Sequence, residues 1–472
     1  MKKIIIRSLW MMIHVTAMAQ SKKLSLKQCV ETALNNNLQV NQSNLQMQSA
    51  EVNLKQARAN MLPNISGSIN YGANQGRSID PFTNAFINQQ LNFSNLSANG
   101  SIPLFSGLQV QNQVKQNNLT LQASRMEWQQ AKDNLMLNVI LSYLLELNNE
   151  DVLALSKAQL EVTKKQVERL DVLNKEGAVA PYTFTDLKGQ LASDEVALVN
   201  AENNVQSAKL TLAQLMNMAY DKDMELERIS VEEALTAYEG TTDKIYEEAL
   251  QKLGLVKAAD LRKQSAEKGI KVARANYYPT LSFFGGLGTN YSSAAKLSSV
   301  VNEFYGPTDS YVTVNGNNLP LNVKQQTYKS EPFGLGKQYN NNLNTNFGLA
   351  LQVPIANNFR ARSQVALAKI YFKNSQLLAD NTKIQLRQNI EQAYFNTTAA
   401  YNRYQSFMNQ VTALEESFKA AETRFENGVI NSVEYLQVKN NLDRAKVNLT
   451  QAKYEYVLRT KVLDFYQGKL SW

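Results

Sequence analysis

Two near-copies of one short stretch decide the fold of this chain: ARANMLPNISGSINYG at residues 57–72 and ARANYYPTLSFFGGLG at residues 273–288. In each copy a charged, helix-favouring segment reaches a proline, Pro63 or Pro279, and continues with a different hydrophobic period. Proline disfavours helix in the residue before it, so each proline marks the end of a helix. The return of the junction after 216 residues indicates an internal duplication.

The segment before each junction has the pattern of a coiled-coil helix. Every seventh residue from Ala33 to Met61 is apolar and polar residues fill much of the space between, which predicts one helix across this range. The second copy keeps the register, although Lys263 interrupts its apolar stripe. The heptad positions are Ala33, Val40, Met47, Leu54 and Met61, then Ala249, Val256, Lys263, Ile270 and Tyr277.

Beyond each junction the apolar period falls to two, as in a strand with one apolar and one wet face. A second alternating stretch follows in each half, and Pro103 and Pro354 close these second strands. We therefore predict four strands of about ten residues, the length that crosses a bilayer at a tilt of about 45°. Short alternating strands are also compatible with the edge of a soluble β-sandwich.

Two long segments without glycine or proline follow the strands. They cover residues 108–176 and 359–427 and end at Gly177 and Gly428, after which a heptad pattern returns. Helices of this length would run for roughly 100 Å, which predicts a rod of antiparallel helical hairpins. Small alanines alternate with larger residues in the heptads of the return helices, and this favours close helix packing.

The N-terminal residues have the features of an export signal. Basic residues precede an apolar run that ends in Ala17-Met18-Ala19, so residues 1–19 are predicted to be a signal peptide. No later segment has the 18 or so unbroken apolar residues of a membrane helix, which leaves a secreted, a periplasmic or a β-barrel protein. Cys29 is the sole cysteine, and we predict a small core residue rather than a modified one.

The composition excludes several function classes. The sole histidine, His14, lies in the signal peptide, and the chain has no metal-ligand cluster and no glycine-rich phosphate loop. We therefore predict no enzyme activity, no cofactor and no metal site. The net charge of +8 includes Lys2, Lys3 and Arg7 of the signal, and no basic cluster with interleaved aromatic residues indicates nucleic-acid binding.

Four strands cannot close a membrane barrel, because an open sheet edge in lipid would leave backbone groups without partners. Several copies must therefore share one barrel. Eight strands would be filled by their own side chains, whereas twelve would leave a lumen. The second strand pair is separated by about 35 more residues than the first, between Asn290 and Asn344. Long loops of outer-membrane barrels lie outside, so the helices are predicted to lie on the periplasmic side.

The ordered, duplicated motifs resemble the TolC family of outer-membrane efflux proteins. The similarity rests on LSLKQCVETALNNNLQV, the two ARAN junctions, the IPLFSG and VPIANN segments and the two glycine-turn hairpins, and it covers essentially the whole mature chain. It implies an α+β membrane protein: a homotrimeric twelve-stranded β-barrel, with four strands per chain, continued by a long periplasmic α-helical coiled-coil tunnel. It also implies partners, namely a periplasmic adaptor that docks at the hairpin turns and an inner-membrane transporter.

The resemblance further implies candidate residues for a periplasmic entrance. The family often places acidic residues six and nine positions after the second turn glycine, where this chain has Glu434 and Gln437. Phe425 and Ile430 stand where the family can have a hydrogen-bonding tyrosine and a basic residue, so apolar packing is the expected closure. Asp186 is the acidic counterpart in the first hairpin. Glu434 is equally compatible with an ordinary carboxylate near a helix start.

These observations predict a division of the chain and a function. The division is a signal peptide (1–19), a first repeat (20–218), a mixed equatorial segment (219–245) and a second repeat (246–472). The function is an exit duct of a tripartite efflux or type I secretion system. A secreted or surface structural coiled-coil protein is the alternative, and the sequence does not indicate the cargo.

Overall fold

The computed structural model describes residues 23–79, 84–232 and 235–470. The predicted signal peptide, with His14, lies outside these residues. The contacts divide the chain into two compact units, and each unit draws on both halves of the sequence. One unit, called the helical unit here, contains residues up to 53, 116–266 and 370 onwards, and the other, the sheet unit, contains 54–115 and 267–369.

The order of elements is nearly the same in the two halves. The first half contains α1 (Leu26–Asn36), α2 (Leu38–Ala59), β1 (Asn64–Asn74), β2 (Arg77–Ile79), β3 (Phe86–Asn88), β4 (Leu91–Ser106), α3 (Gln109–Lys175) and α4 (Pro181–Leu215). The second half contains α5 (Thr242–Lys252), α6 (Gly254–Arg274), β5 (Thr280–Ser292), β6 (Lys296–Val314), β7 (Asn317–Pro332), α7 (Leu335–Asn341), β8 (Asn344–Gln352), α8 (Arg360–Glu426) and α9 (Ser432–Tyr466).

The long helices end where the sequence predicts. Helices α3 and α8 have 67 residues each, and the return helices α4 and α9 have 35 each. Each long helix is preceded by two residues with positive φ, Gly107 with Leu108 and Asn358 with Phe359. Leu108 and Phe359 carry a conformation that large side chains rarely adopt, so these sharp entries into the helices are strained. Among the described helices, none combines the length and the apolar character needed to cross a membrane.

The expectation of one helix from Ala33 to Met61 is wrong, because the helix is interrupted at Asn37. The backbone of Asn37 is extended (ψ 123°), and its side-chain oxygen accepts hydrogen bonds from the backbone N–H groups of Gln39 and Val40. This is an N-cap that starts a new helix. The second half breaks at the equivalent Leu253, after which Gly254 allows close packing: a Cβ there would lie 2.6 Å from the Met126 carbonyl oxygen.

The sheet unit contains a four-stranded antiparallel sheet in the order β1-β4-β5-β8. Its register places Ile65 opposite Gly100, Gly100 opposite Gly285, and Gly285 opposite Phe347. Because side chains alternate along each strand, this register collects the apolar residues on one face, where many are solvent-exposed in the single chain. They include Ile65, Ile69, Ile102, Phe283, Leu287, Phe347 and Leu349.

The opposite face of the same sheet is polar. Ser68 and Ser97 lie opposite each other, with their hydroxyl oxygens 2.8 Å apart. Asn99 and Asn346 approach Gly286 from both sides, and a Cβ on Gly286 would lie 2.7 Å from each side-chain oxygen. The sheet therefore presents one apolar and one hydrated face, as the alternation predicts.

Three of the four junction prolines lie at the ends of strands. Pro63 and Pro279 directly precede β1 and β5, and Pro354 follows β8 by one residue. Pro103 is different: β4 continues to Ser106, and the register with β5 shifts between Pro103 and Phe105. The prediction that Pro103 closes the strand is therefore wrong. Proline lacks the N–H that a regular ladder needs, and a register shift tolerates it.

The main core of the helical unit joins α1, α3, α4 and α9. Cys29 is fully buried in this core, and burial raises the pKa of its thiol to about 11. The segment between α4 and α5 packs against the same core through Leu226, which forms a parallel β-bridge with Leu24. The Tyr143 hydroxyl lies 3.0 Å from the Leu24 carbonyl oxygen and 2.5 Å from that of Glu227. The boundaries of the mixed equatorial segment, residues 219 and 245, remain a prediction.

A carboxyl group lies buried next to this core. Glu146 on α3 is fully buried, and neither carboxylate oxygen has a hydrogen-bond partner among the described residues. Burial raises the pKa of Glu146 to about 8, repulsion from Glu150 adds to the shift, and Lys209 and Arg228 oppose it. Burial disfavours the charged form, so Glu146 holds its proton at neutral pH.

We predict that Glu146 makes stability depend on pH. Between its ordinary pKa of 4.5 and about 8, the folded chain keeps a proton that the unfolded chain releases. The contribution of the protonated Glu146 to the free energy of unfolding is therefore complete below pH 4.5 and is lost as pH rises through 8. The free energy of unfolding falls by up to about 1.4 kcal/mol per pH unit over this range. Glu146→Gln should abolish this dependence and melt above wild type at about pH 9, as measured by circular dichroism of the detergent-purified protein.

The matched control is Glu161→Gln, which removes an exposed carboxylate of the same helix that pairs with Lys165 at 3.6 Å. Its melting profile against pH should run parallel to that of wild type. A parallel profile for Glu146→Gln as well would contradict a buried, protonated Glu146.

Candidate functional site

The two long hairpins of the helical unit turn in the same way. Gly177 and Gly428 have φ of +70° and +71°. In the first turn the N–H of Ala178 donates to the Leu173 carbonyl, and in the second the N–H of Val429 donates to the Arg424 carbonyl. This is the Schellman ending, which requires a left-handed residue and therefore favours glycine. The predicted turn residues thus lie at the hairpin turns.

Apolar side chains fill the turn of the second hairpin. Phe425 stacks on Tyr435 with ring centroids 4.5 Å apart, and Ile430 is buried beside them. The Tyr435 hydroxyl is buried without a hydrogen-bond partner among the described residues, and burial raises its pKa. Phe425 and Ile430 therefore pack within their own hairpin, and the structure brings these two candidate residues together.

Glu434 and Gln437 lie on the first turns of α9. Asn431 caps this helix by accepting a hydrogen bond from the N–H of Glu434. The Glu434 carboxylate lies 3.6 Å from the Arg424 guanidinium and is about half exposed. Gln437 is exposed. In the single chain Glu434 has a partner on α8, so its place in a ring of carboxylates remains a prediction.

The turns of the two hairpins contact each other. Ser432, which is fully buried, donates a hydrogen bond of 2.8 Å to Asp186 on α4. Arg169 on α3 forms an ion pair of 2.9 Å with Glu426 on α8. A cavity of about 680 Å³ lies between the turns and is lined by residues 178–180 of the first and 425–432 of the second. Asp186 therefore joins the hairpins rather than standing free.

A buried ionic cluster further along the hairpins was not predicted. Lys439 on α9 is 3% exposed, and its ammonium group lies 2.6 Å from Asp443 and 3.3 Å from Asp194 on α4. Thr163 on α3 donates a 2.5 Å hydrogen bond to Asp194. Burial raises the pKa of Asp443, while Lys439 opposes that shift. We call Thr163, Asp194, Lys439 and Asp443 the ionic cluster.

The sequence did contain a signal for this cluster. Lys439 lies four residues after Tyr435 and three before Leu442, directly beside the apolar heptad stripe that passes through Val438. A lysine at such a position is buried only if carboxylates meet it. Asp443 follows at i+4 on the same helix, but Asp194 is 245 residues away in sequence, and no local pattern relates it to Lys439.

Comparison with known proteins agrees with this architecture. The model of a family described as "Outer membrane efflux protein" matches residues 29–218 and 245–468. Outer membrane protein TolC of Escherichia coli K12 is 23% identical over 352 residues, which are 73% of this chain and 63% of that protein. TolC of Vibrio cholerae is 21% identical over 342 residues, covering 72% and 69%. The chain thus matches somewhat less than two thirds of the length of the first relative.

Solved structures show the same fold. The outer membrane protein VceC of Vibrio cholerae superposes with a TM-score of 0.74 at 16% identity, over 94% of this chain and 96% of that one. The CmeC outer membrane channel of Campylobacter jejuni has a TM-score of 0.74 at 18% identity, over 94% and 85%. At this level of identity the likeness concerns the fold.

Long helical hairpins and strands with one apolar and one polar face follow in the same order in both halves, and the family model matches both halves. The chain belongs to the outer membrane efflux protein family.

We predict that the ionic cluster stabilises the contact between the two hairpins. Lys439→Met should leave Asp194 and Asp443 facing each other without a cation, which costs about 3–5 kcal/mol when a buried pair loses one partner. Urea unfolding of the purified protein, followed by circular dichroism, measures the loss. The control is Lys446→Met, which removes a more exposed pair with Glu415 at 2.8 Å, worth at most about 1 kcal/mol. Equal losses for both variants would contradict the role of the cluster.

Proposed function

We propose that the chain is the outer-membrane exit duct of a tripartite efflux or type I secretion system and works as a homotrimer. The observation that carries the proposal is the four-stranded sheet, whose outer strands β1 and β8 each have only one strand partner among the described residues. The function rests on this sheet being completed by other copies.

The surface of the sheet supports a membrane location. Its strands have 11, 16, 13 and 9 residues, and a tilted membrane strand needs about 9–11. Ile65, Ile69 and Phe347 are each more than 70% exposed in the single chain. Contact with lipid would cover such side chains, whereas contact with water would leave a large apolar patch uncovered.

The two sheet edges support a trimer. Backbone groups at an open edge have no water to bond in the hydrocarbon core, so β1 of one copy must pair with β8 of the next. Two copies would form an eight-stranded barrel filled by its own side chains, while three form a twelve-stranded barrel with a lumen. The serines and asparagines of the polar face, among them Ser97, Asn99 and Asn346, suit a water-filled interior.

The helical hairpins support a periplasmic tunnel that docks with other proteins. The family resemblance implies a periplasmic adaptor and an inner-membrane transporter as partners, and the cavity between the turns of the hairpins is a suitable docking surface for the adaptor. The duct performs no covalent chemistry in this role. It supplies a continuous aqueous path, while the transporter supplies the energy.

The turn of the second hairpin supports an entrance closed by apolar packing. Phe425 and Ile430 already pack with Tyr435 inside one chain. In a trimer, three copies of Glu434 near one axis would repel each other and bind cations. Opening would require Glu434 to leave Arg424 or the hairpin to move with both residues.

The decisive experiment is to purify the protein from the outer-membrane fraction, to measure its mass by native mass spectrometry and to insert it into planar bilayers. The expected result is a trimer that produces discrete conductance steps. A water-soluble product without channel activity would contradict the duct and favour the structural coiled-coil alternative.

We predict that Glu434 sets cation block at the periplasmic entrance. Glu434→Gln should weaken block by a multivalent cation by about tenfold, because the ring would lose its charge. Single-channel recording with the cation on the periplasmic side measures this. Glu416→Gln, which removes an exposed carboxylate of α8, should leave the block unchanged. Unaltered cation block in both variants would contradict the ring and indicate that Glu434 is an ordinary surface carboxylate.

A further inference from the structure

The insertion in the second half forms a ribbon of its own. Strands β6 and β7 have 19 and 16 residues and pair only with each other among the described residues. They are joined at Asn315 and Gly316, both with positive φ, as in the tight turns that match the twist of a hairpin. We call residues 296–332 the ribbon. An isolated two-stranded hairpin is at best marginally stable in water, so such a long ribbon needs a surface to pack against.

The distal half of the ribbon has two different faces. Val312 lies opposite Leu319, and Gly306 lies opposite Val323. Alternation along β7 places Leu319, Leu321 and Val323 on one face. We call this the aliphatic face; its apolar members are Phe304, Val312, Val314, Leu319, Leu321 and Val323, each between 43% and 55% exposed. The other face carries tyrosines, prolines and polar residues: Tyr305, Pro307, Tyr311, Thr313, Asn318, Pro320 and Lys324.

The charges of the ribbon are largely neutralised within it. Glu303 pairs with Lys324 at 2.6 Å, and Lys329 pairs with Glu331 at 2.9 Å. None of the six members of the aliphatic face is charged. No excess of one sign is therefore available to attract an acidic or basic partner, and the ribbon fits a partner that is itself apolar and uncharged.

The root of the ribbon is held rigidly. Gln338 of α7 is fully buried; its side-chain oxygen accepts from the N–H of Ser292, and its side-chain nitrogen donates to the carbonyls of Ser292 and Phe333. The neighbouring Tyr339 donates a 2.9 Å hydrogen bond to Ser94 on β4. These contacts fix both ends of the ribbon to the four-stranded sheet, so the position of the base of the ribbon relative to the sheet is defined.

We propose that the aliphatic faces of the ribbons of neighbouring copies of this chain pack together. This inference rests on the proposed function, because it requires the copies to share one sheet. The ribbon connects β5 to the outer strand β8, whose free edge would pair with the next copy. In the trimer three ribbons are anchored beside the places where β8 of one copy pairs with β1 of the next, which holds the ribbons at a high effective concentration relative to one another. The ribbon of a neighbouring copy is therefore favoured over any free partner. The aliphatic faces of the three ribbons meet around the common axis, and the opposite faces, which carry Tyr305 and Tyr311, lie outside.

Disulfide trapping tests the proposal with two adjacent residues on opposite faces. Val312→Cys places a thiol on the aliphatic face, and Thr313→Cys places one on the other face. The native Cys29 is fully buried, so the unaltered chain should not cross-link. Under mild oxidation in outer membranes, V312C should form covalent dimers between chains and T313C should not, as seen on non-reducing gels.

Two further measurements interpret the result. Native mass spectrometry of both variants reports the trimer independently: an intact trimer in which V312C does not cross-link overturns the ribbon inference alone, whereas the absence of any trimer overturns the proposed function. Equal cross-linking of V312C and T313C also overturns the inference, since it indicates no preferred face. A V312C thiol that is protected from a membrane-impermeant maleimide without cross-linking would assign the aliphatic face to lipid or to another protein, against the proposal.

Discussion

The backbone hydrogen bonds of the four-stranded sheet are the constraint on which the rest of the molecule depends. β4 and β5 are paired on both sides, whereas β1 and β8 each have one strand partner among the described residues. A sheet with one apolar face and two open edges is stable in neither water nor lipid. The assembly that we propose follows from this requirement, and so does the inference that ribbons of neighbouring copies meet.

The helical unit solves a different problem, that of holding two long hairpins in register. Apolar heptads provide most of the burial, but similar heptads can slide past one another by a turn. The buried charge of Lys439, met by Asp194 on α4 and Asp443 on its own helix, suits one alignment only. Such a cluster contributes little net stability compared with apolar packing, and its best-attested effect elsewhere is to specify register.

Several features of the fold could be predicted from local sequence. The absence of glycine and proline over residues 108–176 and 359–427 matches α3 and α8 to within one residue at each end, because helices persist until a breaker or a cap ends them. Asn37 shows where this reasoning stops. Asn37 is neither glycine nor proline and lies between the heptad positions Ala33 and Val40, so the local pattern predicts an unbroken helix, yet its side chain caps a new helix. Pro103 shows the reverse, since the strand passes through it at a register shift.

The sequence by itself determined the periods, the turns and the duplicated order of elements, since each depends on residues close together in the chain. It also placed Gly177 and Gly428, because only glycine enters the left-handed turn without strain. The tertiary structure decided which distant groups meet: Asp186 with Ser432, Lys439 with Asp194, and the pairing of β4 with β5 across the two halves. Those contacts join residues far apart in the chain. The local periodicity of a sequence predicts which face of a helix or strand is buried, but it does not indicate which distant residue packs against that face.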